Sequence, residues 1–169
     1  MKFAYSKPII MKRVIILFFV VCSSALFAQD IKNNEAPVFI VKMADARIMD
    51  REEGRLAASL ASTKAIRDYG SLMVKDQELL LTKLKQLAAS KNITLPNAIS
   101  EEKSKHLMKL STLRGEKFDR KFIKMIKTDH KCDVKKFKKA TKFEDTDTRK
   151  FAKENLPMIQ QHLEGAKAL

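Results

Sequence analysis

"FDRKFIKMIKTDHKCDVKKFKKA", Phe118 to Ala140, carries the clearest structural period in the chain. At about 100° per residue, Phe118, Phe122, Met125, Ile126, Phe137 and Ala140 fall on one side of a helix, and lysines fill the other. A half-buried strand would alternate with period two, and this run does not. Asp129 is expected to point into the apolar side with His130 at its edge. Within this stretch, "MIKTDHKCDV" has an earlier near-copy in "LMVKDQELLL", Leu72 to Leu81, where Gln77 stands in the place of His130.

The same period extends outward in both directions. Four helical segments are expected: Pro37 to Ala61, Thr63 to Ser90, Glu101 to Lys142 with a break near Arg114-Gly115, and Thr146 to the end. Ser62 or Thr63, Ser100 followed by Glu101 and Glu102, and "EDTD" supply start signals for the second, third and fourth. Pro157 should kink the last helix or mark a short break, because it lacks a backbone donor. Only "NITLP" is β-friendly, glycine occurs four times and tryptophan is absent. Long helices joined by short turns follow, which is an all-α, up-and-down four-helix bundle over residues 37–169.

Inward polar residues are the informative part of each wheel. The first helix buries Phe39, Met43, Ala46, Ala57 and Leu60, with Asp50 and Glu53 on or beside that face. Gln77 lies among Ile66, Met73, Leu80 and Leu84 in the second, and His162 among Phe151, Met158, Ile159 and Ala166 in the last. Bundles build metal and cofactor sites from such groups on facing helices.

The N-terminus reads as an export signal. Lys2, Lys7, Lys12 and Arg13 precede "VIILFFVV", and small residues lead to a cleavage point after Ala28. The apolar run is shorter than the ~20 residues a membrane span needs. Met11 opens a signal of ordinary length on its own, so a start at either Met1 or Met11 fits the export reading, with residues 1–10 expected as an upstream extension in the second case. Residues 29–36 are expected as a flexible leader. Phe19, Val20 and Val21 are too large for a lipidation signal at Cys22, and its removal leaves Cys132 as the single thiol, read as a small buried residue, a free thiol or an intermolecular partner. The chain carries +14, of which four charges lie in the signal. An exported basic chain meets anionic lipid, glycan or acidic protein rather than nucleic acid, although a solvated lysine face alone would also account for the charge.

The segments "FIVKMADARIMDREEGRLAA", "STKAIRDYGSLMVKDQ", "GEKFDRKFIKMIKTDH" and "RKFAKENLPMIQQHLEGAKAL" together resemble a bacterial family of exported, ferritin-like helical proteins of unassigned function, often labelled outer-membrane or periplasmic. The resemblance implies a "DH" pair in both the second and third helices and a histidine in the last. Here the equivalents are Asp76 and Gln77, Asp129 and His130, and His162, with Asp50, Glu52 or Glu53 as first-helix acids. Gln77 replaces an imidazole by an amide, a poor transition-metal ligand. The Glu-x-x-His pairs of di-iron bundles are missing too, since Lys127 precedes His130, Ile159 precedes His162 and Lys103 precedes His106 at that spacing.

Two readings of Asp50, Glu53, Asp129, His130 and His162 therefore stand: a degenerate transition-metal site, or histidines bonded to acids across a structural bundle. His106, among lysines, is read as solvated. Met43, Met49, Met73, Met125 and Met158 fall at core spacing and are read as packing, not as soft metal ligands. No nucleophile elbow or phosphate-cradling glycine loop is present. The reading that results is a non-catalytic envelope protein acting by binding, with a metal-binding or redox protein as the alternative.

Overall fold

The computed structural model describes residues 35–169. The expected signal peptide and most of the expected leader lie outside the described residues. Glu35 and Ala36 are already helical, so the first helix begins two residues earlier than expected.

The described residues are all-helical, with five helices: α1 (Glu35–Leu60), α2 (Lys64–Ser90), α3 (Glu101–Ser111), α4 (Gly115–Ala140) and α5 (Thr146–Ala168). The break near Arg114-Gly115 is a full turn, and it divides the expected third segment into a short helix and a long one. Gly115 supplies the reason: its φ of +56° lies in the left-handed region that glycine enters without a Cβ clash. The Thr63 hydroxyl caps α2 by accepting from Ile66 N at 3.3 Å, and the Asp145 carboxylate caps α5 by accepting from Thr148 N at 2.8 Å. Pro157 does not break α5, which runs through it; "NITLP" lies in the irregular segment between α2 and α3.

α1 packs most closely on α2, and α4 on α5. The first crossing is tight because Gly54 and Gly70 face one another: a Cβ on Gly54 would lie 2.8 Å from the Gly70 carbonyl oxygen, and one on Gly70 would lie 2.7 Å from that of Gly54. The turn between α1 and α2 is tied to α4 by Ser62, whose N–H donates to Asp119 Oδ1 at 3.0 Å and whose hydroxyl donates to Oδ2. α3 contributes one buried residue, Leu110, and is held to α1 through Asp45, which accepts from Ser100 N and pairs with Lys103, both at 2.9 Å.

Apolar burial falls into two clusters. One gathers Phe39, Met43, Leu84, Phe137, Phe151 and Ile159; the other gathers Ala57, Tyr69, Met73, Phe118, Phe122 and Ile126. Between them in chain position on α1, α2 and α4 lie the buried polar residues Arg47, Asp50, Glu53, Gln77, His130 and Asp133, and on α5 His162 is buried near the same changeover, just before Leu163 of the first cluster.

Candidate functional site

The polar layer starts from α1, where Arg47, Asp50 and Glu53 recur every third residue and so share one face. All three are buried, Arg47 and Glu53 completely. Arg47 Nη2 lies 2.9 Å from Asp50 Oδ2 and also donates to Asp133 Oδ2 on α4. Asp133 takes a second partner at the surface, Lys136 Nζ at 3.0 Å. A guanidinium between two carboxylates is the arrangement that makes a buried arginine tolerable. Glu53 has no such help: neither of its oxygens has a hydrogen-bond partner among the described residues. Burial, then the Asp50 and Asp129 charges, raise its carboxyl well above the ordinary value.

The two histidines sit with ring centroids 5.4 Å apart and differ in what their nitrogens do. His130 Nδ1 is 3.2 Å from the Ile126 carbonyl oxygen, which can only accept, so the proton is on Nδ1 and Nε2 is a bare lone pair. That lone pair faces Asp50 Oδ2 at 3.9 Å. Burial pushes the His130 pKa down to about 4, with Arg47 and His162 adding to the effect and Asp50 opposing it, so the ring is neutral at pH 7. His162 is the other way round. Its Nε2–H donates to Asp76 Oδ2 at 2.8 Å, and Nδ1 accepts from Gln77 Nε2 at 3.3 Å. The Tyr69 hydroxyl fixes the same residue from the backbone side by donating to the His162 carbonyl at 2.8 Å. Both His162 nitrogens are committed, and Gln77 Oε1 is left without a hydrogen-bond partner among the described residues.

Of the residues expected to share a site, Asp50, Glu53, His130 and His162 all point inward, as does Gln77. Asp129 is a correction. It is exposed, and His130, expected at the edge, is fully buried. The inner face of α4 runs through Phe122, Ile126, His130, Asp133 and Phe137, a rotation of about 40° from the expected face at 100° per residue, with Met125 only half-buried. The same rotation leaves Cys132 an exposed free thiol, so of its three expected readings the buried one is corrected. His106 is exposed, as expected.

Asp129 and Cys132 lie on the wall of a cleft of about 580 Å³ between α1, α3 and α4, beside Lys121 and Lys124. Asp50 and Asp133 reach its inner wall. Among the described residues no three His, Cys, Asp or Glu side chains are placed to hold a metal ion.

Sequence reasoning missed Arg47 and Asp133. Both lie at core spacing, Arg47 three residues before Asp50 and Asp133 three after His130. The available signal was that two opposite charges on facing helices can bury each other.

Residues 23–169 match Domain of unknown function (DUF4142). The chain belongs to this family. No curated protein and no solved structure matches it. Within this DUF4142 chain the described part of the match includes every member of the polar layer, from Arg47 to His162. Among its described residues no helix is long and apolar enough to cross a membrane.

Proposed function

We propose that this chain is a non-catalytic, exported binding protein of the cell envelope, whose cationic outer surface engages anionic lipid, glycan or acidic protein. Its four long helices are read as an up-and-down, ferritin-like bundle serving as the scaffold. One observation carries the reading. Ten of the 26 residues of α4 are lysine or arginine, and only Arg120, Lys136 and Lys139 have ion-pair partners among the described residues. A helix that needed charge only for solubility would gain from acids at i,i+4. Seven unpaired lysines repel one another instead, and a polyanion relieves that repulsion while releasing its own counterions.

The test is retention on anionic and on neutral supports, vesicles and polysaccharide beads alike, at low and at high salt. Retention on the anionic supports that weakens with salt is expected; no retention at low salt overturns the reading. Export is tested apart from binding: mass spectrometry should place the mature N-terminus at or within one or two residues of Gln29, and an intact Met1 or Met11 in soluble protein overturns it.

A second reading, a metal-binding or redox protein with a degenerate site, is favoured by the bare His130 lone pair facing Asp50 with an unpartnered Glu53 one turn away. His130 Nε2 and Asp50 would be its donors, two groups where a complete site needs more, which is the sense in which it is degenerate; His162 has no nitrogen to offer without breaking its bonds to Asp76 and Gln77. Cobalt titration read by visible absorption decides it. Bands that vanish in His130→Gln support a site, and their absence from the native protein removes it.

A further inference from the structure

Six of the unpaired lysines of α4 are not scattered. Lys117, Lys121, Lys124, Lys131, Lys135 and Lys138 follow one another at steps of three, four or seven, with exposed Thr128 at the middle of the single step of seven. On a helix those steps keep to one line, about one turn apart, and the line runs opposite the buried face of Phe122, Ile126, His130 and Phe137. All six are exposed, none has an ion-pair partner among the described residues, and no acid stands at any position of the line. From Lys117 to Lys138 the row is about 32 Å long at the rise of an α-helix.

Resting on the proposed polyanion-binding reading, we propose that this lysine row is a docking track for a linear acidic polysaccharide, a chain bearing one carboxylate per sugar. Three features select that class. A row of single charges about one helical turn apart fits an extended chain whose charge repeats once per monomer, whereas a lipid surface presents charge over an area. Amphipathic helices that enter a headgroup layer carry large apolar side chains beside their basic residues. Among the described residues the exposed large apolar side chains are Val41, Leu72, Leu79 and Met108, none of them on α4. Every cation in the row is lysine, a point charge, where arginine's fork is the group that grips phosphate in two places, and the row holds no aromatic ring on which a base could stack.

Binding of linear polyuronate oligomers of graded length tests this, together with anionic vesicles and homopolymeric single-stranded DNA of matched charge. Affinity should climb with oligomer length until the chain spans the row, then level off. It should also fall more than about tenfold between 50 mM and 200 mM salt. The triple variant Lys124→Gln, Lys131→Gln, Lys135→Gln should lose at least tenfold affinity for the long oligomer. Lys75→Gln, Lys85→Gln, Lys153→Gln, which removes the same charge from exposed unpaired lysines of α2 and α5, should lose less than threefold. Equal losses in the two triples, or affinity independent of length, overturn the track while leaving general polyanion binding in place. Tighter binding to vesicles or DNA than to the longest uronate overturns the choice of polysaccharide. If the native protein retains no polyanion at low salt, the broader reading falls as well.

Discussion

His130 and Glu53 are buried in the same layer and respond to pH in opposite senses. The folded state disfavours protonated His130, facing Arg47 and Asp50 on α1 and His162 on α5, and its pKa falls from 6.5 to about 4. Between those values the unfolded chain takes up a proton that the folded chain refuses. Acidification from pH 6.5 to 4 should therefore cost on the order of 3 kcal/mol through this residue, and nothing more below it. Glu53 is raised, so the folded chain keeps a proton that the unfolded chain releases above its ordinary value of 4.5. Its contribution is favourable at low pH and is lost as pH rises through the folded pKa. Urea midpoints measured from pH 4 to 8 should show His130→Gln flattening the acid side of the profile and Glu53→Gln raising the basic side. Profiles that stay parallel to the native protein's would mean that neither group titrates in this environment. Of these residues, sequence periodicity located Glu53, His162 and Gln77 inward and misplaced the 129–130 pair by one position. A helical wheel fixes the period well and the centre of the buried face less well. Met125 pulled that centre toward Asp129, because a long apolar side chain at a half-buried position looks the same in sequence as a core one.

At the level of single helices, most starts and stops were legible because they rest on local chemistry: Thr63, Asp145 and the left-handed Gly115 act within one turn of themselves. How closely two helices approach is not local. Gly54 and Gly70 read in sequence as isolated interruptions of helical patterns, and only the folded chain shows that each makes room for the other's carbonyl. Gly54→Ala gains about 1 kcal/mol of helix propensity. It also sets a Cβ 2.8 Å from backbone, which no rotamer change relieves. Overpacking should win, with a net loss of about 1–3 kcal/mol by thermal or urea unfolding and a similar loss for Gly70→Ala. Gly165→Ala is the contrast. Its Cβ would meet only the edge of the Tyr69 ring, at 3.0 Å, so a displacement of a few tenths of an ångström is set against about 1 kcal/mol of helix propensity and the change should be close to neutral. If Gly54→Ala is as stable as the native protein, α1 and α2 have freedom to separate at this crossing.

Across the whole molecule, the α1–α2 pair meets the α4–α5 pair through a layer that is polar in its middle, and that is the part of the fold least visible in sequence. Arginine is expected at the surface. Arg47 is completely buried because Asp50 and Asp133 reach it from two helices. Such a triad is weak evidence for stability, since desolvating three charges offsets most of their attraction. Removing one member is another matter. Arg47→Leu leaves two carboxylates facing each other without a cation and should cost about 3–5 kcal/mol in urea unfolding. Replacing the set together, Arg47→Met, Asp50→Leu, Asp133→Leu, should restore most of that loss or exceed the native stability. What the triad contributes beyond energy is register. Sliding α4 one turn along α1 would set Asp133 against the level of Met43 or Asp50, where it meets either an apolar side chain or a like charge, so the native alignment is the one in which the charges cancel. The apolar triple variant should then be stable but less uniquely packed, with weaker near-ultraviolet circular dichroism at unchanged helix content. A triple variant that is both stable and sharply packed would show that the apolar clusters around Phe39 and Phe122 set the register by themselves.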